Sequence, residues 1–141
     1  MIDSKRPWKP DAGTITDVLK DHPFMEVLKV GGYGAFFGDS NSSFTLFVPE
    51  TVPPKSQIDA LYAHNVVRFS TLPTSADLAL IAQRPYLSPI LNGPRLYVYN
   101  KYGKLYLNEA CDPVEITRPN VYTTNGIIHF VARPLIPPFP N

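Results

Sequence analysis

Thr123-Thr124-Asn125-Gly126-Ile127-Ile128-His129-Phe130-Val131-Ala132-Arg133-Pro134-Leu135-Ile136-Pro137-Pro138 is the stretch around which the rest of this chain is organised. Asn-Gly is a turn signal, and the next seven residues hold neither proline nor glycine. Ile127, Ile128, Phe130, Val131 and Ala132 make that run apolar on both sides of a pleat, the pattern of a strand buried on both faces in the middle of a sheet. Pro134, Pro137 and Pro138 then end it, because each removes a backbone donor that a central ladder needs. His129 shares a face with Ile127 and Val131, so it is expected as a buried histidine bonded to backbone rather than as a catalytic base.

Upstream, the clearest unit is a hairpin. Arg95-Leu96-Tyr97-Val98-Tyr99 and Lys104-Leu105-Tyr106-Leu107-Asn108 flank a four-residue loop, Asn100-Lys101-Tyr102-Gly103. Alternation puts Leu96, Val98, Leu105 and Leu107 on one face and Tyr97, Tyr99 and Tyr106 on the other. Two readings compete for the tyrosine face. Half-covered by the chain's own loops, it supplies cross-strand aromatic pairs, and this reading is preferred. Left bare, it is the best candidate for a partner surface, since rigid amphipathic rings are over-represented at interfaces. A short strand is also expected at Val114-Glu115-Ile116.

Helical spacing appears in four places. Ile15, Val18 and Leu19 follow a capping Thr14 with Asp17 three residues on, and Phe24, Val27 and Leu28 continue after His22-Pro23, where His22 is expected to cap the junction or face solvent. Lys55 to Phe69 has room for one short helix with Ile58, Leu61 and Tyr62 on a face. Ser75 to Gln83 can form another, with Leu78, Ile81 and Ala82 inward and Ser75 and Asp77 suited to its start. Between these helices, Phe44-Thr45-Leu46-Phe47-Val48-Pro49 alternates as a strand. Residues 1–13 show no periodicity and read as an arm, either disordered or docked through Trp8; residues 139–141 form a short tail.

Asn125-Gly126-Ile127-Ile128-His129 followed by Leu135-Ile136-Pro137-Pro138 resembles the second signature box of the fasciclin-like adhesion domain, usually Asn-Gly-Val-Ile-His and then Leu-Leu-Pro-Pro. Phe44 to Pro49 resembles its first box, commonly Thr-Val-Phe-Ala-Pro-Thr, matched in its strand and altered in its turn. The resemblance runs from about Thr14 to Pro138 and implies one domain over 14–138. The fold it implies is α+β: a compact, twisted, mainly antiparallel sheet forming a wedge, with a few short helices and a reduced helical layer. Two motifs proposed to bind integrins in animal members are changed here. The family's Tyr-His falls on His64-Asn65, with His64 expected at a helix end, and its Asp-Ile falls on Asn120-Val121, which lacks the carboxylate. Integrin binding is therefore not carried over.

The composition fits such a module. With 141 residues the chain can bury roughly two thirds of its unfolded surface in one core. Hydrophobic residues are 44% and charged residues 18%, with no apolar run long enough to span a membrane. Thirteen basic and twelve acidic residues leave +1, too little field to hold nucleic acid or an anionic membrane. Cys111 is the only cysteine, so the fold must stand without an internal disulfide, and nothing near it in sequence would activate a thiol. Three histidines lie in three separate segments, and no metal-ligand spacing, nucleophile elbow, phosphate loop or dinucleotide fingerprint occurs. No catalytic, cofactor or metal site is expected.

The start, Met1 to Pro10, lacks a secretory signal, so the expected location is inside a cell or within an assembled particle, unless a leader has been removed. The expected function is a non-catalytic interaction module that binds other proteins. Its leading form is a structural or cement subunit of a larger assembly, for example a minor component of a virus particle. The alternatives are a cell-adhesion or matrix-binding domain and, from another class, a small-molecule-binding protein or enzyme.

Overall fold

Among the described residues, seven strands build one sheet: β1 (Phe44–Pro49), β2 (Thr71–Leu72), β3 (Tyr86–Leu87), β4 (Leu96–Lys101), β5 (Lys104–Leu107), β6 (Val114–Thr123) and β7 (Gly126–Val131), in the spatial order β2-β1-β7-β6-β5-β4-β3. The computed structural model describes residues 13–39, 41, 43–91, 93–108 and 113–136, so Trp8, Cys111, Pro137 and Pro138 lie outside the described residues. The apolar run is the inner strand its composition predicts, with β1 on one side and β6 on the other. The β1–β7 pair is parallel and the other pairs are antiparallel. All six residues of β1 are buried, so its alternation does not separate a wet face from a dry one.

Among the described residues, four short α-helices accompany the sheet: α1 (Ile15–Val18), α2 (Phe24–Gly31), α3 (Ala60–Phe69) and α4 (Leu78–Ala82). Each begins where a side chain can satisfy open amide groups. Thr14 and Asp17 form a reciprocal capping box on α1, and the Asp59 and Asp77 carboxylates accept from Tyr62 N–H and Leu80 N–H at the starts of α3 and α4. At α2 it is the His22 ring that accepts from Phe24 N–H, at 3.0 Å, while packing against Phe130.

The two faces of the central strands belong to two cores. Phe44, Leu46, Val48, Ile128 and Phe130 pack with α1, α2 and α3, whereas Phe47 and Val131 pack with α4 and the leucines of β4 and β5. Helix α3 buries Ala63, Val66, Val67 and Phe69; Leu61 is 69% exposed and Ala82 of α4 is also exposed, so those two apolar residues are not on the inward faces that spacing suggests.

Gly126 is the first residue of β7 and pairs with Thr123, so the turn itself is Thr124-Asn125. Asn125 is buried at that turn and joins separate segments: its Nδ2 donates to the carbonyls of Phe37 (2.9 Å) and Asp39 (3.1 Å), and its Oδ1 accepts from Ile15 N–H at 2.9 Å.

His129 is fully buried and stacked on Phe47. Its Nδ1 accepts from Asn120 N–H at 3.0 Å, which leaves Nε2 to carry the proton and donate to the Ala76 carbonyl at 2.8 Å. Burial holds its pKa below the ordinary 6.5, against smaller opposing pulls from the Ala76 carbonyl and the Asp77 carboxylate. The unfolded chain therefore takes up a proton here at a higher pH than the native one. Stability from this residue is complete above pH 6.5 and declines as the pH falls below it, by at most about 1.4 kcal/mol per unit for one proton. Urea midpoints measured at several pH values, alongside an NMR titration of the His129 ring, check this; a ring that charges at its ordinary pKa without loss of stability would overturn it.

Candidate partner-binding surface

The hairpin forms as the alternation predicts, with a tighter turn. Lys101 pairs with Lys104, so the loop is two residues, Tyr102-Gly103, at φ 54° and 80°. Positive φ at both positions is the turn whose twist matches the flanking strands.

Val98 pairs with Leu107 and Tyr99 with Tyr106, so leucines and tyrosines take opposite faces. The leucine face is core, and the tyrosine face is partly covered and partly open. Tyr97 is 44% exposed and Tyr99 39%, while Tyr106 is half-buried.

The register explains why. Ile116 opposite Val131 lies on the side of the leucine core, which puts Glu115, its partner Tyr106 and then Tyr99 on the side of the sheet that carries α1, α2 and α3. Those helices stand on β1 and β7, and the tyrosines lie beyond the end of that layer.

Residues that periodicity did not single out complete the surface. Tyr86 of β3, 36% exposed, pairs with Tyr97, their rings edge to face at 6.3 Å, and the Arg95 guanidinium lies 4.2 Å over the Tyr86 ring. Tyr102 at the turn is 93% exposed, with Lys101 Nζ 5.9 Å from its ring. Tyr99, Lys101, Tyr102, Tyr106 and Pro113 line a cleft of about 360 Å³. At the other end Tyr86 helps to line a second cleft of about 440 Å³ with Leu72, Leu80 and Arg84. Lys104 and Glu115 form an ion pair at 3.7 Å on the same face. A two-residue β3 is too short for alternation to reveal Tyr86; a row of tyrosines two apart in the neighbouring strand was the available signal.

The other positions singled out by sequence serve elsewhere. His64 is exposed within α3, not at its end; its ring stacks on Tyr33, with Nδ1 2.8 Å from the Tyr33 hydroxyl and Nε2 3.0 Å from the Arg68 guanidinium. Arg68 can only donate, so Nε2 accepts and Nδ1–H donates to Tyr33. Asn65 is half-buried on the same helix. Asn120 sits at φ 61° in an irregular part of β6; its side chain accepts from Leu78 N–H at 2.9 Å, and Val121 packs against the helical core. Asn125, Gly126 and His129 build the scaffold. Among the described residues there is no group of three or more His, Cys, Asp or Glu placed to hold a metal, and no helix is long and apolar enough to cross a membrane.

The fasciclin domain model matches residues 10–137. The chain belongs to the fasciclin domain family. A solved FAS1 domain pair from the insect cell adhesion molecule fasciclin I superposes on this fasciclin domain with a TM-score of 0.72 and 17% identity over 90% of the chain, which establishes a shared fold. This fasciclin domain spans 51% of that two-domain structure. No curated protein matches its sequence. Domains of this family serve as adhesion or protein-interaction modules.

Proposed function

We propose that this fasciclin domain, residues 14–138 between an arm and a short tail, is a non-catalytic module that packs against other proteins through its tyrosine face. In this reading it serves inside a cell or an assembled particle as a structural or cement subunit, for example of a virus. The observation that carries the reading is the row Tyr86, Tyr97, Tyr99 and Tyr106, displayed by paired strands on the side of the sheet the helices leave bare. Tyrosine held in a sheet offers large contact area with little rotamer freedom to lose, which is how interface hot spots are built. A net charge of +1 suits close packing among subunits, since it sets up little repulsion.

The second reading is adhesion outside the cell, favoured by the family and by the nature of the insect relative. Integrin-type recognition gets no support, because Asn120 has no carboxylate to offer and its side chain is engaged with Leu78.

Gentle fractionation from the natural source, with mass spectrometry of what co-purifies, separates the two. The native protein should run in a large particle with defined neighbours. Replacing Tyr97 and Tyr99 with alanine should release it as a monomer while costing only about 1 kcal/mol of stability, the worth of exposed cross-strand pairs. A native protein that runs alone rejects the assembly reading, and a double variant that stays in the particle rejects the tyrosine face as its contact.

A further inference from the structure

Arg95, just before β4, follows the same alternation as Tyr97, Tyr99 and Lys101 within it and lies over Tyr86 on their face, giving a stripe with a cation at each end and two exposed rings between. All four side chains are on the exposed tyrosine face described above. Arg95 stacks on Tyr86 and Lys101 lies beside Tyr102, so each cation is steadied by an aromatic ring; neither is in an ion pair among the described residues, whereas Lys104 is matched by Glu115.

We propose that the stripe binds an extended acidic segment of the protein partner, its apolar or aromatic middle lying on Tyr97 and Tyr99 and a carboxylate meeting each of Arg95 and Lys101. This deepens the tyrosine-face reading and rests on it. The two cations are six positions apart, about 20 Å along extended chain, so the partner's carboxylates stand about six positions apart in an extended segment. Opposite charge at both ends would fix the segment's register, and the rings would supply the desolvated contact between them. Single-stranded nucleic acid fits less well. It needs cations that track a continuous backbone, and here the Glu115 carboxylate stands beside Tyr106 on the same face.

The test uses a fluorescent synthetic peptide with glutamates about six residues apart around a valine–tyrosine middle, the same peptide with glutamines, and oligothymidine. The full-length protein should bind the glutamate peptide saturably and lose affinity as salt rises. Binding should weaken about tenfold when Arg95→Gln and Lys101→Gln are combined, and by a similar factor with the glutamine peptide. Circular dichroism of the double variant confirms that it folds. Equal binding of the two peptides, absence of binding, or tighter binding of oligothymidine overturns the proposal. If Tyr97→Ala with Tyr99→Ala still releases the protein from its native particle in that case, the tyrosine face stands and only the acidic partner is wrong. If the tyrosine variant stays in the particle as well, both readings fall.

Discussion

Replacing Gly126 with alanine should destabilise this domain more than the same exchange at any other described glycine. Gly126 lies opposite Phe44 in the parallel β1–β7 pair, and a Cβ built on it would stand 2.0 Å from the Phe44 carbonyl oxygen and 2.9 Å from its carbon. Those are backbone atoms of a buried strand, so no side chain can swing aside. Moving β1 would disturb the core built on Leu46 and Val48 and the bond from Phe44 N–H to the Asn125 carbonyl. The φ of +154° adds strain for any L side chain. Steric conflict and backbone strain together place the cost at about 4 kcal/mol or more, a large share of the roughly 5–15 kcal/mol that a domain possesses. Gly103→Ala is the control: its φ is also positive, at +80°, but nothing lies within 4 Å of the added carbon. It should cost about 1–2 kcal/mol. Urea unfolding of the two variants separates conformational strain from collision, and a Gly126→Ala protein as stable as Gly103→Ala would refute the close approach.

That glycine shows where sequence reading stops. Asn-Gly was legible as a turn signal, and the apolar run after it as an inner strand, because both are local patterns. That Gly126 opens the strand, and must be bare because a carbonyl from β1 arrives there, depends on a parallel partner 82 positions away in the chain, a distance no window spans. The hairpin behaved in the same way. Alternation assigned its leucine and tyrosine faces, but tyrosine at positive φ is uncommon enough that a four-residue loop was the natural expectation, and the tight Tyr102-Gly103 turn was not.

The openness of the tyrosine face was the point on which periodicity was weakest. Period two says which residues share a face and is silent on whether another layer covers it. Here three short helices stop at β1 and β7. Leu61 makes the converse case: apolar and at helical spacing, it still faces solvent, because α3 packs through Ala63, Val66 and Val67. Asn120 and His64 were read by motif position, and their bonds to Leu78 N–H and to the Tyr33 hydroxyl join segments far apart in sequence.

Asn125→Leu should be the other severely damaging change, for a reason that volume does not capture. The side chain reaches the start of α1 through Ile15 N–H, the 3-10 turn at Phe36–Gly38 through the Phe37 carbonyl, and the segment beyond through Asp39, while the Thr123 hydroxyl donates to its Oδ1 at 3.2 Å. Leucine fills nearly the same space and meets none of these groups. The Ile15 amide and the Phe37 carbonyl bonds are buried, and stranding a buried polar group costs about 1–3 kcal/mol, so a loss of about 3–5 kcal/mol follows from the set. The damage should be spatially selective. Helix α1 and the turn at 36–38 lose their tie to the sheet, while the β4–β5 hairpin packs in the other core, so amide exchange should quicken first at α1 and the turn and only later at Leu105 and Leu107. Asn125→Asp separates the two halves of the network. A carboxylate can still accept from Ile15 and Thr123 but cannot donate to Phe37 or Asp39, and it brings a buried charge to face two carbonyl oxygens, so near neutral pH it should be as harmful as leucine. Acid that protonates the introduced carboxyl restores one donor, and the aspartate variant should then recover relative to the leucine variant. Uniform loss of protection in both cores, or an aspartate variant indifferent to pH, would show that Asn125 does not hold these segments together.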